Sequence, residues 1–211
     1  MRLHTPGLAL ICCLLAAPAL AVPLNEQPMF GNQPKTPAML AADQKLIDDS
    51  ARFGSRAETS DRNMALGWQY FSQKQDIATA MKRFNQAWLL DPDNGDSFHG
   101  FAIMVMERDQ DEKVADDLFR QGIAKPRQSP GIWLDYGRFL IKTRRPADAI
   151  APLRKAITFP RMGPDAQALL AMALFQSGDA AAACAEAAKV AEGAQAPLRE
   201  VVTKIRQICR S

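Results

Sequence analysis

Histidine is close to absent from the 211 residues. Only His4 and His99 occur, too few ligands for a histidine-built metal site. Neither sign of charge dominates: 26 Lys and Arg stand against 23 Asp and Glu, interleaved along the chain for a net of +3. The basic stripe that marks nucleic-acid binders is therefore missing. Four cysteines cannot staple a mini-domain. There is no Gly-x-Ser-x-Gly nucleophile elbow, no phosphate-binding loop and no dinucleotide fingerprint. The acidic run from Asp91 to Asp96 superficially suggests a calcium loop. Its sixth and twelfth places hold Asp96 and Ala102, where glycine and glutamate are required. These gaps leave no catalytic constellation, no cofactor site and no metal site to expect. No segment alternates with period two over strand length, so strands are not expected either. What remains is a 47% hydrophobic chain, enough to bury a core in one good-sized domain or two small ones.

Residues 1–21 hold one base, Arg2, and no acid. An apolar stretch from Leu8 to Ala17 precedes Pro18 and the small-residue pattern Ala19-Leu20-Ala21. Basic start, short apolar core and small residues at a cleavage point are the order of an export leader, with the cut expected after Ala21. The run falls short of the roughly 20 residues a membrane span needs. A lipid anchor would want a small residue before the modified cysteine, yet Ile11 precedes Cys12 and Cys12 precedes Cys13. Loss of the leader leaves 25 basic and 23 acidic residues, a net of +2, and two cysteines, Cys184 and Cys209.

A period of 34 to 35 residues organises the rest. Ala80, Ala115, Ala149 and Ala183 are spaced 35, 34 and 34 apart. Four residues after them stand Phe84, Phe119, Leu153 and Ala187, and three further on Ala87, Gly122, Ala156 and Val190. Upstream, Gly67, Ala102, Gly137 and Ala171 form a second series of small residues that would let paired helices approach closely. The first unit reads Leu66-Gly67-x-x-Tyr70, Ala80-x-x-x-Phe84, Ala87 and Asp91-Pro92-Asp93-Asn94. The third reads Trp133-x-x-Tyr136-Gly137, Ala149-x-x-x-Leu153 and Ala156-Ile157.

This pattern resembles the tetratricopeptide repeat (TPR) family of stacked helix-turn-helix units. The resemblance implies an all-α, right-handed superhelical solenoid of about four repeats, in units 62–94, 95–129, 130–163 and 164–193. Turns are expected at Gln73–Asp76, Arg108–Asp111, Thr143–Pro146 and Gln176–Asp179. Residues 22–36, with Pro23, Pro28 and Pro34, read as a flexible linker. An N-terminal helix and connector should fill 37–61, starting at Thr36-Pro37. Residues 194–211 should form a capping helix whose apolar side carries Leu198, Val201, Val202, Ile205 and Ile208. The stretch around Gly67-Trp68-x-Tyr70-Phe71 and Arg83 to Pro92 is similar to exported bacterial repeat proteins, which implies a periplasmic setting.

The family's geometry further implies a concave groove lined by the first helix of each pair. Its places fall near Met64, Trp68, His99, Ile103, Met106, Arg138, Lys142, Ala168 and Met172. Trp68 and Ile103 serve equally as core, and His99, with no second histidine, reads as a partly exposed helix residue. The lysine and asparagine clamp with which some members grip a terminal carboxylate is missing, since Met64, Trp68, Ile103 and Ala168 stand where several of its polar residues would be needed. The expected ligand is an apolar peptide or protein segment held by aromatic and Met contacts. Cys184 and Cys209 should lie on neighbouring helices, either paired or as two buried thiols. The expectation is an exported scaffold for a protein or peptide partner, set in cell-envelope assembly. An accessory subunit or small-ligand carrier serving a periplasmic enzyme is the alternative.

Overall fold

The computed structural model describes residues 21–190 and 193–210; residues 1–20 of the expected 1–21 leader lie outside them. Among the described residues there are ten α-helices and two short 3-10 turns, with one isolated bridge between Asn94 and Arg127. Helix α1 spans Pro37–Ser50. Four hairpins follow: α2 (Arg56–Lys74) with α3 (Ile77–Leu90), α4 (Gly95–Arg108) with α5 (Glu112–Ile123), α6 (Gly131–Lys142) with α7 (Pro146–Ile157), and α8 (Gly163–Gln176) with α9 (Ala180–Lys189). Helix α10 (Ala196–Ile208) packs on α8 and α9. From α2 to α9 each helix packs mainly on its neighbours in sequence, the arrangement of a solenoid.

The turns inside the hairpins share one chemistry. The residue two before each second helix adopts a left-handed backbone: Gln75 (φ 53°), Gln110 (φ 55°), Arg144 (φ 61°) and Gly178 (φ 88°). Only the fourth uses the glycine that accepts this conformation without cost. Asp76, Asp111 and Asp179 then cap the next helix, their carboxylates accepting the N–H of Thr79, Val114 and Ala182 at 2.9, 3.0 and 2.9 Å. In the third hairpin Pro146 at the start of α7 takes over, its fixed φ suiting a first helical turn.

Close approach explains the two small-residue series. The Phe84 ring is fully buried between Gly67 on α2 and Gly100 on α4, and a Cβ at Gly100 would stand 2.7 Å from it. Gly137 admits Leu153 in the same way one hairpin later. Phe101, Phe119, Ile132, Leu140 and Leu170 continue the buried core between these points.

Polar staples tie successive hairpins at their loop ends. Asn94, itself buried, donates through Nδ2 to Ser60 Oγ at 3.0 Å, and Ser60 donates to the Ala87 carbonyl at 2.9 Å. Arg127 pairs with Asp61 at 2.5 Å and Asp91 at 2.8 Å. Between α5, α6 and α7, Asp116 accepts from the Tyr136 hydroxyl at 2.8 Å and pairs with Arg120 and Arg145, both at 3.1 Å.

Two stretches differ from the sequence expectation. The first repeat helix starts at Arg56, six residues before 62, because Ser55 and Glu58 form a reciprocal capping box there. Residues 22–36 do not behave as a flexible linker. Their 3-10 turns, Leu24–Glu26 and Pro28–Asn32, lie against α3, where the buried Asn85 side chain bonds to their main chain. Proline set the sequence reading, but here it starts a turn rather than an extended spacer. At the other end Cys184 on α9 and Cys209 beyond α10 form a disulfide with Cα atoms 5.8 Å apart. Arg206 adds donations to the carbonyls of Ala187 and Val190 at 2.7 and 3.1 Å.

Candidate functional site

The first helices of three consecutive hairpins share one apolar hollow. Helix α2 brings Trp68 and Phe71, α4 brings Ile103, Met106 and Glu107, and α6 brings Asp135, Arg138, Phe139 and Lys142. Phe119 of α5 closes the floor, and the hollow has a volume of about 250 Å³. On each helix the contributing residues are three or four apart, so they fall on a single face. Trp68, Ile103 and Met106 are half-buried: each packs against the core and also lines the hollow. Trp68 and Ile103 thus combine a core contact with a place on the wall of the hollow.

Rings run through the wall as a ladder. Trp68 stands 5.1 Å from Phe84 and 5.0 Å from His99; His99 lies 5.9 Å from Phe119, which stacks 5.1 Å from Tyr136 and 5.3 Å from Phe139. His99 is 5% exposed, so it is neither a partly exposed helix residue nor a surface contact. Its neighbours are rings on two sides, and its Nε2 lies 3.0 Å from Asp135 Oδ2. Met64 is also buried, with its sulfur accepting from Ser97 Oγ at 3.6 Å, and Ala168 is core on α8. Met172, half-buried on α8, is not among the residues lining the hollow.

Asp135 links the buried histidine to the rim, since its other oxygen pairs with Arg138. Burial, the largest influence on this carboxyl, works to raise its pKa. The His99 hydrogen bond and the charges of His99 and Arg138 outweigh it, so Asp135 ends below the usual carboxylate value. The arrangement is an apolar bed with a basic edge formed by Arg138 and the exposed Lys142, and one acid, Glu107, beside it. Among the described residues no group of three or more His, Cys, Asp or Glu is placed to hold a metal ion, and no helix is long and apolar enough to cross a membrane.

Sequence reasoning named Trp68, Ile103, Met106, Arg138 and Lys142, and the structure brings these five together. It missed Phe71, Glu107, Asp135 and Phe139, which helical spacing from the named residues would have supplied.

No family model matches the chain, and no curated protein matches it. Solved structures do. The structure reported in a functional characterization of Pseudomonas aeruginosa pilF aligns at a TM-score of 0.65 with 21% identity, over 74% of this chain and 71% of that one. YrrB, described as a TPR protein with an unusual peptide-binding site, aligns at 0.54 with 17% identity, over 79% and 75%. The chain has the fold of the tetratricopeptide-repeat proteins.

Proposed function

We infer that the chain is an exported, non-catalytic scaffold that holds a protein or peptide segment in the hollow between α2, α4 and α6, in the setting of cell-envelope assembly. The observation that carries this reading is the continuous bed of Trp68, Phe71, Ile103, Met106 and Phe139 across three hairpins. Aromatic and Met side chains offer large contact area with adaptable shape, which suits a bound segment. A volume of about 250 Å³ lies below the range of roughly 300 to 1,000 Å³ usual for small-molecule sites, so this hollow is small for a whole ligand of that kind. It matches one or two anchoring side chains of a longer partner. Support from outside comes from YrrB, which shares the fold and is described as having a peptide-binding site. Export to the periplasm rests on the leader-like residues 1–21 and on the Cys184–Cys209 disulfide, a bond that persists in oxidising compartments.

Crosslinking and pull-down from native envelope fractions, with mass spectrometry of what is captured, tests the reading. Trp68→Ala and Arg138→Ala should each reduce capture, Trp68→Ala more strongly because it removes a central ring. Undiminished capture by both variants would place binding elsewhere.

A further inference from the structure

Asn85 is fully buried on α3, yet all three hydrogen bonds of its side chain go to one distant stretch of chain. Its Nδ2 donates to the carbonyls of Asn25 and Gln27 at 3.0 and 2.8 Å, and its Oδ1 accepts the N–H of Phe30 at 3.2 Å. The carbonyl between those two, Glu26, accepts from Arg108 at the end of α4 at 2.6 Å. Three consecutive carbonyls and one N–H are thus read from residues 25–30, with no side chain of that stretch involved. Side chains add anchors: Glu26 pairs with Lys82 at 2.9 Å, and the Phe30 ring lies 6.4 Å from Trp88. Met29, Phe30 and Asn32 adopt left-handed backbone at φ 51°, 56° and 51°, a shape that non-glycine residues rarely take unless held.

We propose that the α3 face around Asn85, with Lys82, Trp88 and Arg108, is a second peptide-binding site, specific for a main-chain turn, and that its resident ligand is the chain's own residues 22–33. This is ligand-like docking rather than core packing. Met29 touches the core, but none of residues 22–33 is itself buried, while the anchor beneath them is wholly enclosed. The recognition is directed mainly at backbone groups, so the segment behaves as a tethered guest whose place a free copy of the same segment can take. The covalent link that follows, residues 33–36, is neither helix nor turn. None of Lys82, Asn85, Trp88 and Arg108 lines the hollow beside Trp68, so the two sites can be filled independently.

The test keeps the full chain. A protease site inserted after Gln33 is cut in the folded protein, and native mass spectrometry asks whether the released segment stays bound one to one. Retention, together with exchange for an added labelled peptide of residues 22–33, is the expected result. Phe30→Ala in the added peptide, which leaves the body untouched, should weaken binding about tenfold or more. Asn85→Ala in the body should do the same, with circular dichroism checking that the helices persist. Loss of the segment on cutting, or binding indifferent to both substitutions, would overturn the proposal.

Discussion

His99 Nε2 lies 3.0 Å from Asp135 Oδ2, so a side chain on α4 and one on α6 meet beneath the hollow and join adjacent repeats. The folded-state pKa of Asp135 is depressed, so its contribution to stability is present above the ordinary carboxylate value and is lost as pH falls through the depressed one. Asp135→Asn should cost about 1 to 3 kcal/mol at neutral pH, because buried His99 loses a charged partner. It should also flatten the acid limb of stability. Urea unfolding at neutral pH and near pH 3 checks both; an unchanged acid limb would remove Asp135 from this role.

The Phe84 slot has no slack. Gly100→Ala would set a methyl 2.7 Å from the ring, well inside contact distance. A loss of about 1 to 3 kcal/mol is expected from overpacking. Phe84→Ala should cost about 3 to 5 kcal/mol through the cavity it leaves. Thermal or denaturant unfolding measures each, and Gly131→Ala, where the nearest atoms are 3.6 Å away, serves as the mild control.

Asp116 gathers Tyr136, Arg120 and Arg145. Burial first, then the bond to Asp116 and its charge, push the Tyr136 phenol above its ordinary value. Asp116→Asn should bring that titration down toward the ordinary value, read by ultraviolet absorbance against pH. A phenol that titrates unchanged would show that burial alone sets it.

Reduction of the Cys184–Cys209 disulfide, which spans 25 residues, should lower stability by about 3 kcal/mol. Hydrogen exchange of α10 should rise first, ahead of the three N-terminal hairpins. Equal exchange in reduced and oxidised protein would separate the disulfide from stability.

The hairpins were legible because the Ala80, Ala115, Ala149 and Ala183 series marks the same buried place in each second helix. The hollow was legible in part, since Trp68, Ile103 and Arg138 occupy corresponding first-helix faces. The His99–Asp135 pair was not, because the two stand 36 residues apart and nothing in either residue names the other. Asn85 left no trace for a different reason. A polar residue within an amphipathic helix reads as a solvated one, and only the fold shows that residues 25–30 lie over it.

The two ends of the stack are closed unequally. Helix α10 is held by a covalent bond and by Arg206, while α1 leaves Leu40 55% exposed and Phe53, just beyond it, 58% exposed. In a nearly one-dimensional array each unit is supported only by its neighbours, so a pinned end and a loosely covered end give unravelling a direction. Pulled or warmed, the array should open from α1 inward, and the hollow beside Trp68 would be lost before the last hairpin yields.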